Sequence, residues 1–359
     1  MYYQMDNNSI FNETNETYSD PKWRNVIEGV ERYYIAILIL LGTIGNCISV
    51  LVFFTTKLRK LSSSFYLAAL AISDTGFLIA LFMAWLNSFG VPLFYITGLC
   101  KMNTYLQYVC SFLSAWLVVA FTVERFIAVR YPLRRPSMCT VARAKLVLAS
   151  LTLLALGLYI PSIQVAKMEI HNDKPACGLD GDYKSLAIVI NHVDFVVTFI
   201  LPFAMIATLN AWISLMVWKL ARIRRGLTFT SGRDTHQQQY HVTRDSHRRS
   251  QTQPQHSVRS PSSQTKVTKM LLVVSTVFLC LNLPSYVLRV LIYVQNSETG
   301  MRAELAILQH VASVFFNTNF GINFVLYCVS GQNFRRAFCS LCCSCCPRLR
   351  RRSENSQVT

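Results

Sequence analysis

The sequence predicts an all-α fold, a seven-transmembrane helix bundle with a short amphipathic helix after the seventh span. Three observations carry this. Seven apolar runs recur, each long enough to cross a hydrocarbon core of about 30 Å. Hydrophobic residues make up 52% of the 359 residues and charged residues only 15%, too apolar for a soluble surface. Basic residues flank alternate ends of the runs, the pattern that orients spans in a membrane. Backbone in lipid must satisfy its own hydrogen bonds, so the runs are helices.

Residues 1–33 are read as an extracellular, glycosylated segment. The opening MYYQMDNNSIFNETNETYSD has no basic start or apolar core and so is not a cleavable signal peptide. Three acceptor sequons crowd it, at Asn7, Asn12 and Asn15. The membrane domain, 34–330, then holds spans near Tyr34–Thr55, Phe65–Phe89, Lys101–Val129, Ala144–Val165, Leu186–Leu220, Met270–Val294 and Ala303–Val329. Pro161, Pro202 and Pro284 fall inside spans, where a bundle tolerates them better than soluble helices do. Lys57, Arg59 and Lys60 follow the first span, Arg130, Arg134, Arg135 and Arg143 separate the third and fourth, and Arg222, Arg224 and Arg225 follow the fifth. Arg335 and Arg336 follow the seventh; these loops are cytoplasmic and the N-terminus lies outside.

Residues 226–265, rich in Gln, Ser, Thr, His and Arg, bury too little apolar area to offset chain entropy and read as a disordered third cytoplasmic loop. In the tail, 331–359, Phe334 and Phe338 beside Arg335 and Arg336 suggest an amphipathic helix on the inner leaflet, with membrane lipid as its partner. Cys339, Cys342, Cys343, Cys345 and Cys346 follow it, near Arg348, Arg350, Arg351 and Arg352. Acyl chains beside a polybasic patch make a membrane anchor, so these cysteines are palmitoylation candidates; four thiols around zinc is the competing reading. The formal charge of +17 raises nucleic acid as a partner, but no zinc-finger spacing, RNA-binding sheet motif or base-reading basic helix occurs, and none is expected.

Polar groups inside spans are costly and point to function. Asp74 falls ten residues into the second span, roughly 15 Å deep. Ser114 reaches a similar depth on the third, and Asn319 and Asn323 stack one turn apart on the seventh. A protonated, structural Asp74 is one reading; an ion or proton site with these partners is the other. Glu124 and Arg125 at an inner membrane edge can pair locally and separate when helices part, or Arg125 can simply snorkel.

These residues resemble the rhodopsin-like (class A) G-protein-coupled receptors over nearly the whole membrane domain. The resemblance is carried by Gly45-Asn46, LAALAISD ending at Asp74, the spacing from Cys100 to the Glu124-Arg125-Phe126 triplet, Pro202, Phe278 before Pro284, and Tyr327 after Asn323. It implies a plasma-membrane receptor and no enzyme, with a heterotrimeric G protein, a receptor kinase and arrestin as partners. It also implies a disulfide between Cys100 and Cys177, a coupling switch at Glu124, Arg125, Phe126, Phe278 and Tyr327, and no cofactor beyond an allosteric sodium ion. The metal site is centred on Asp74, with Ser114, Asn282, Asn319 and Asn323 around it.

Four departures from the family pattern stand out: the fourth span lacks its tryptophan, Asn282 precedes Pro284 where a tryptophan is usual, Asn210 replaces a tyrosine, and Phe324 replaces a proline. Phe324 predicts a straighter seventh helix, because no ring removes a backbone donor. Asn317 stands where light-sensing members carry the Schiff-base lysine, and Gln107 where amine receptors place an aspartate. The glycosylated N-terminus and polar second outer loop favour a peptide, and INFVLYCVSGQNFRRAF is similar to invertebrate neuropeptide receptors. The expected ligand pocket comprises Gln107, Tyr108, Asp194, Tyr286, Arg289 and His310, with Trp85 at its rim. Asp194 and Arg289 can pair with each other when it is empty. A lipid or nucleotide receptor is the nearest alternative; a transporter or channel lacks the expected repeats.

Overall fold

A computed structural model of the chain describes residues 21–89, 91, 93, 96–171, 174–234, 261–295 and 303–345. The three sequons, residues 235–260, Cys346 and the terminal arginines lie outside the described residues.

Helix α1 runs Pro21–Thr55, α2 Ser62–Ser88, α3 Thr97–Arg130 and α4 Val141–Leu158. Helix α5 begins at Lys184–Asp194, passes through a π-helical turn at Phe195–Ile200 and continues over Leu201–Asp234. Helix α6 is Pro261–Gln295, α7 has two pieces, Ala303–Thr318 and Asn323–Ser330, and α8 is Gln332–Cys345. Among the described residues six helices are long and apolar enough to span a membrane, and the two pieces of α7, taken as one span, make a seventh. The protein is therefore a multi-pass membrane protein, as its composition predicts.

The seventh helix is not straight. Its pieces meet at 59°, and the expectation drawn from Phe324 is wrong. The break precedes Phe324: three successive i→i+3 bonds, from the amides of Asn319, Phe320 and Gly321, tighten the turn after Thr318. The Asn46 side-chain amide then donates 2.9 Å to the Phe320 carbonyl, taking it out of the helical ladder. Gly321 lies so close to α1 that a Cβ on it would stand 2.6 Å from Leu38 Cδ1, and one on Gly42 would stand 2.9 Å from Gly321 Cα. A tertiary contact with α1 bends this helix, so proline is not needed.

Other boundaries also shift. Helix α1 starts at Pro21, within the predicted N-terminal segment, and α5 and α6 continue to Asp234 and from Pro261, into the predicted disordered loop. Extending an existing helix adds a bond per residue without a new nucleus, which carries it past the apolar region. For the same reason α8 runs through Cys339, Cys342, Cys343 and Cys345 instead of ending before them. The polar loop after α4 is an antiparallel hairpin of β1, Ala166–His171, and β2, Lys174–Leu179, with Met168 opposite Cys177. Cys177 is disulfide-bonded to Cys100 in the first turn of α3, which ties the hairpin over that end of the bundle.

Pro161 sits where α4 breaks after Leu158, and Pro202 just past the π-turn. In that turn Leu201 N–H reaches back five residues to Val196 O, and the Val197 carbonyl is taken by the Trp116 indole N–H at 3.0 Å. The wider turn sets the direction of the α5 segment that carries Asp194.

Candidate functional site

At the disulfide end the helices enclose a cavity of about 300 Å³. All seven predicted pocket residues line it. Gln107 and Tyr108 come from α3, Asp194 from the end of the first α5 segment, Tyr286 and Arg289 from α6, His310 from α7 and Trp85 from α2.

The polar anchor is a buried chain of contacts. Arg289 Nη1 donates to Asp194 Oδ2 at 3.3 Å, and Asp194 Oδ1 accepts from the Tyr159 hydroxyl at 2.9 Å. Thr198, one turn beyond Asp194, has its hydroxyl 3.0 Å from the same tyrosine oxygen. The Asp194 side chain is 7% exposed and that of Arg289 25%, so the acid is enclosed while the guanidinium retains access to the cavity. Arg289 also lies 5.4 Å from the Tyr286 ring centre, and Tyr286 stacks on Phe199 at 3.9 Å. Tyr108 stacks on Tyr159 at 5.2 Å and donates to Asn191 Oδ1 at 3.2 Å. Trp85 anchors its indole N–H on the Arg32 carbonyl at 2.9 Å.

Sequence reasoning missed Tyr159, Thr198, Glu31 and Ser313. Glu31, from α1, also lines the cavity, with its carboxylate oxygens on His310 Nδ1 and the Ser313 hydroxyl.

Deeper in the bundle, Asp74 is fully buried and accepts from Ser114 Oγ at 3.0 Å and Asn323 Nδ2 at 2.7 Å. Asn319 lies a turn before Asn323, its backbone carbonyl 3.5 Å from that amide. The Asn282 side-chain amide donates to the Phe278 carbonyl at 2.8 Å, within its own helix. The helical register supplies that acceptor four residues back, so Asn282 is satisfied without Asp74. The buried Asp74 carboxylate and the Ser114 hydroxyl against it are oxygens of the kind a hard cation prefers.

At the opposite, basic end, Arg125 Nη2 bonds Glu124 Oε1 at 2.6 Å, with side chains 4% and 8% exposed. This answers the snorkelling alternative: the guanidinium is buried and paired. Arg125 Nε has no hydrogen-bond partner. Cys139, in the loop nearby, has its thiol raised by burial and by the Glu124 carboxylate. Phe126 packs edge-on against Trp212 of α5, and Tyr327 lies among Phe53 and Phe334. Ser275 on α6 donates to Asn210 Oδ1 on α5 at 3.0 Å, a further bond between the helices that flank the basic end. Phe334 of α8 meets Phe324 of α7 edge-on at 6.0 Å, and Cys339 and Cys342 on α8 are exposed.

A seven-span bundle with a disulfide-tied hairpin over a cavity at one end, a buried acid deeper in the bundle and a paired arginine at the far end defines a transmembrane receptor. The profile of the 7 transmembrane receptor (rhodopsin family) matches residues 45–327, and the chain belongs to that family, which consists of G-protein-coupled receptors and not of enzymes. It is similar to the thyrotropin-releasing hormone receptor of Ovis aries, 27% identical over 349 residues, covering 93% of this chain and 84% of the relative. Neuromedin-U receptor 1 of Homo sapiens is 26% identical, covering 90% of this chain and 76% of its own. The FMRFamide receptor of Drosophila melanogaster is 25% identical, covering 89% and 57%.

Proposed function

We propose that this chain is a cell-surface receptor whose N-terminus faces outward, which binds an extracellular peptide in the cavity and activates a heterotrimeric G protein at its basic end. The observation that carries the reading is Arg289, held by buried Asp194 yet facing a cavity lined by aromatic rings and side-chain amides. Such a group binds a carbonyl oxygen or an acid through the donors that Asp194 leaves open. The relatives named for thyrotropin-releasing hormone, neuromedin U and FMRFamide support a peptide as the source of those groups. A panel of amidated peptides applied to cells expressing the chain, read by calcium and cyclic-nucleotide release, tests it. A saturable response to a peptide is expected; responses confined to lipids or nucleotides refute the peptide, and a ligand-gated current refutes the coupling.

Basic residues along the same face suit the inner leaflet, where a receptor kinase and arrestin act on family members. Acylation of Cys339 and Cys342, both exposed on α8, fits that orientation.

Sodium belongs to the same proposal. Asp74, Ser114 and Asn323 would hold it, neutralising a carboxylate that is costly to bury alone. Asp74→Asn is expected to abolish the effect of sodium on agonist affinity, measured by competition binding in sodium against an organic-cation buffer. Unchanged sodium sensitivity would make Asp74 purely structural.

A further inference from the structure

Two acid–base pairs line the cavity, and they differ in which partner a ligand can reach. Asp194 is committed within the protein, with Tyr159 on one oxygen and Arg289 on the other and a side chain only 7% exposed. That pair offers a ligand its guanidinium. Glu31 and His310 reverse the arrangement. The Glu31 side chain is 18% exposed, lies on the cavity wall, and meets His310 Nδ1 on one oxygen and the Ser313 hydroxyl on the other.

Imidazole is an exchangeable cation near neutrality, whereas a guanidinium or ammonium is a persistent one. A ligand cation can therefore compete with His310 for the carboxylate, since a persistent charge binds a carboxylate more firmly than an imidazole does. Docking of α1 on α7 does not depend on this pair. The Gly42–Gly321 approach, the Asn46 bond to Phe320 O and the Tyr34–Thr318 hydroxyl contact hold those helices together deeper in the bundle. Nor is the neighbouring Arg32 aimed at Glu31: its guanidinium lies over the Phe89 ring, 5.1 Å from the centroid.

We propose that Glu31 is the cation-binding subsite of the cavity, where an ammonium or guanidinium displaces His310 while Arg289 takes a carbonyl or carboxylate oxygen of the same molecule. The inference rests on the cavity being the ligand site and defines its chemistry: a bipolar ligand, cationic at one end and oxygen-bearing at the other. It places the cation partner on α1 and leaves Asp194 to hold Arg289.

The test uses the whole receptor in lipid nanodiscs, labelled on its histidine rings, with N-acetyl-arginine amide as the probe and the neutral citrulline counterpart as control. The chain has seven histidines, and the His310 signal is assigned by its loss in His310→Asn. The arginine probe is expected to shift the His310 ring signal saturably, and citrulline to bind on the order of tenfold more weakly for want of a charge. Glu31→Gln should abolish the shift. Glu31→Asp, a shorter acid in the same place, should keep it at reduced affinity, which separates loss of charge from misfolding. Equal shifts from arginine and citrulline, no shift from arginine, or a full shift in Glu31→Gln would overturn the subsite. A receptor silent to every peptide in cells, yet showing the charge-dependent shift, would defeat the peptide reading and leave the subsite standing.

Discussion

Replacing Arg289 with alanine is expected to cost about 2–5 kcal/mol of agonist affinity, roughly thirtyfold to several-thousandfold in potency, with the receptor still at the cell surface. The loss has two sources. The ligand loses a charged donor in a secluded cavity, and Asp194 Oδ2 loses the Arg289 guanidinium while Tyr159 continues to serve Oδ1. Arg289→Lys keeps the charge but not the planar fork, and should fall between alanine and the native side chain. Asp194→Asn should lower potency less than Arg289→Ala, because the guanidinium remains present but is less firmly aimed. Dose–response curves normalised to surface protein decide this. Normal potency in both Arg289→Ala and Asp194→Asn would move the ligand site to the N-terminus and the outer hairpin.

How much of this was legible in the residues depends on the range of the interaction that fixes each feature. Spans and the burial of Asp74 within the bundle follow from hydropathy and helical rise, which are local quantities, and the residues expected in the cavity converge there because counting along helices sets their height. The bend in α7 is set by Asn46 and Gly42 on another helix, so reasoning about Phe324 alone could not find it. Glu31 was missed because the charges around it lower hydropathy, which put the apparent start of α1 at Tyr34. A signal did exist: Ile35 and Leu38, four and seven residues on, pack on the cluster around Phe77 and Phe320, and that stripe continued backward points Glu31 inward. Tyr159 escaped notice because the fourth span was judged by a tryptophan it lacks, while the bond to Asp194 depends on a π-turn that hydropathy does not reveal.

Glu124→Ala should raise ligand-free signalling and lower thermal stability together. In the native chain the Arg125 guanidinium, 4% exposed, has Glu124 as its charged partner, and its Nε has no partner at all. Removing one member of a buried ion pair costs about 3–5 kcal/mol, because the charge left behind has neither water nor a counter-ion. That cost falls on the arrangement in which Arg125 is buried. A conformation in which α5 and α6 part and the arginine reaches water or a G protein escapes it. If only about 1.4 kcal/mol of the difference remains, the ratio of the two conformations changes tenfold. The Ser275–Asn210 bond between α5 and α6 still opposes opening, so Glu124→Ala with Ser275→Ala should exceed either change alone. Arg125→Ala removes the group offered to the partner and should silence both basal and stimulated signalling. Second-messenger output per surface receptor, measured without ligand, distinguishes the cases: basal output in Glu124→Ala equal to the native level, at equal expression, would show that the pair does not hold the closed state.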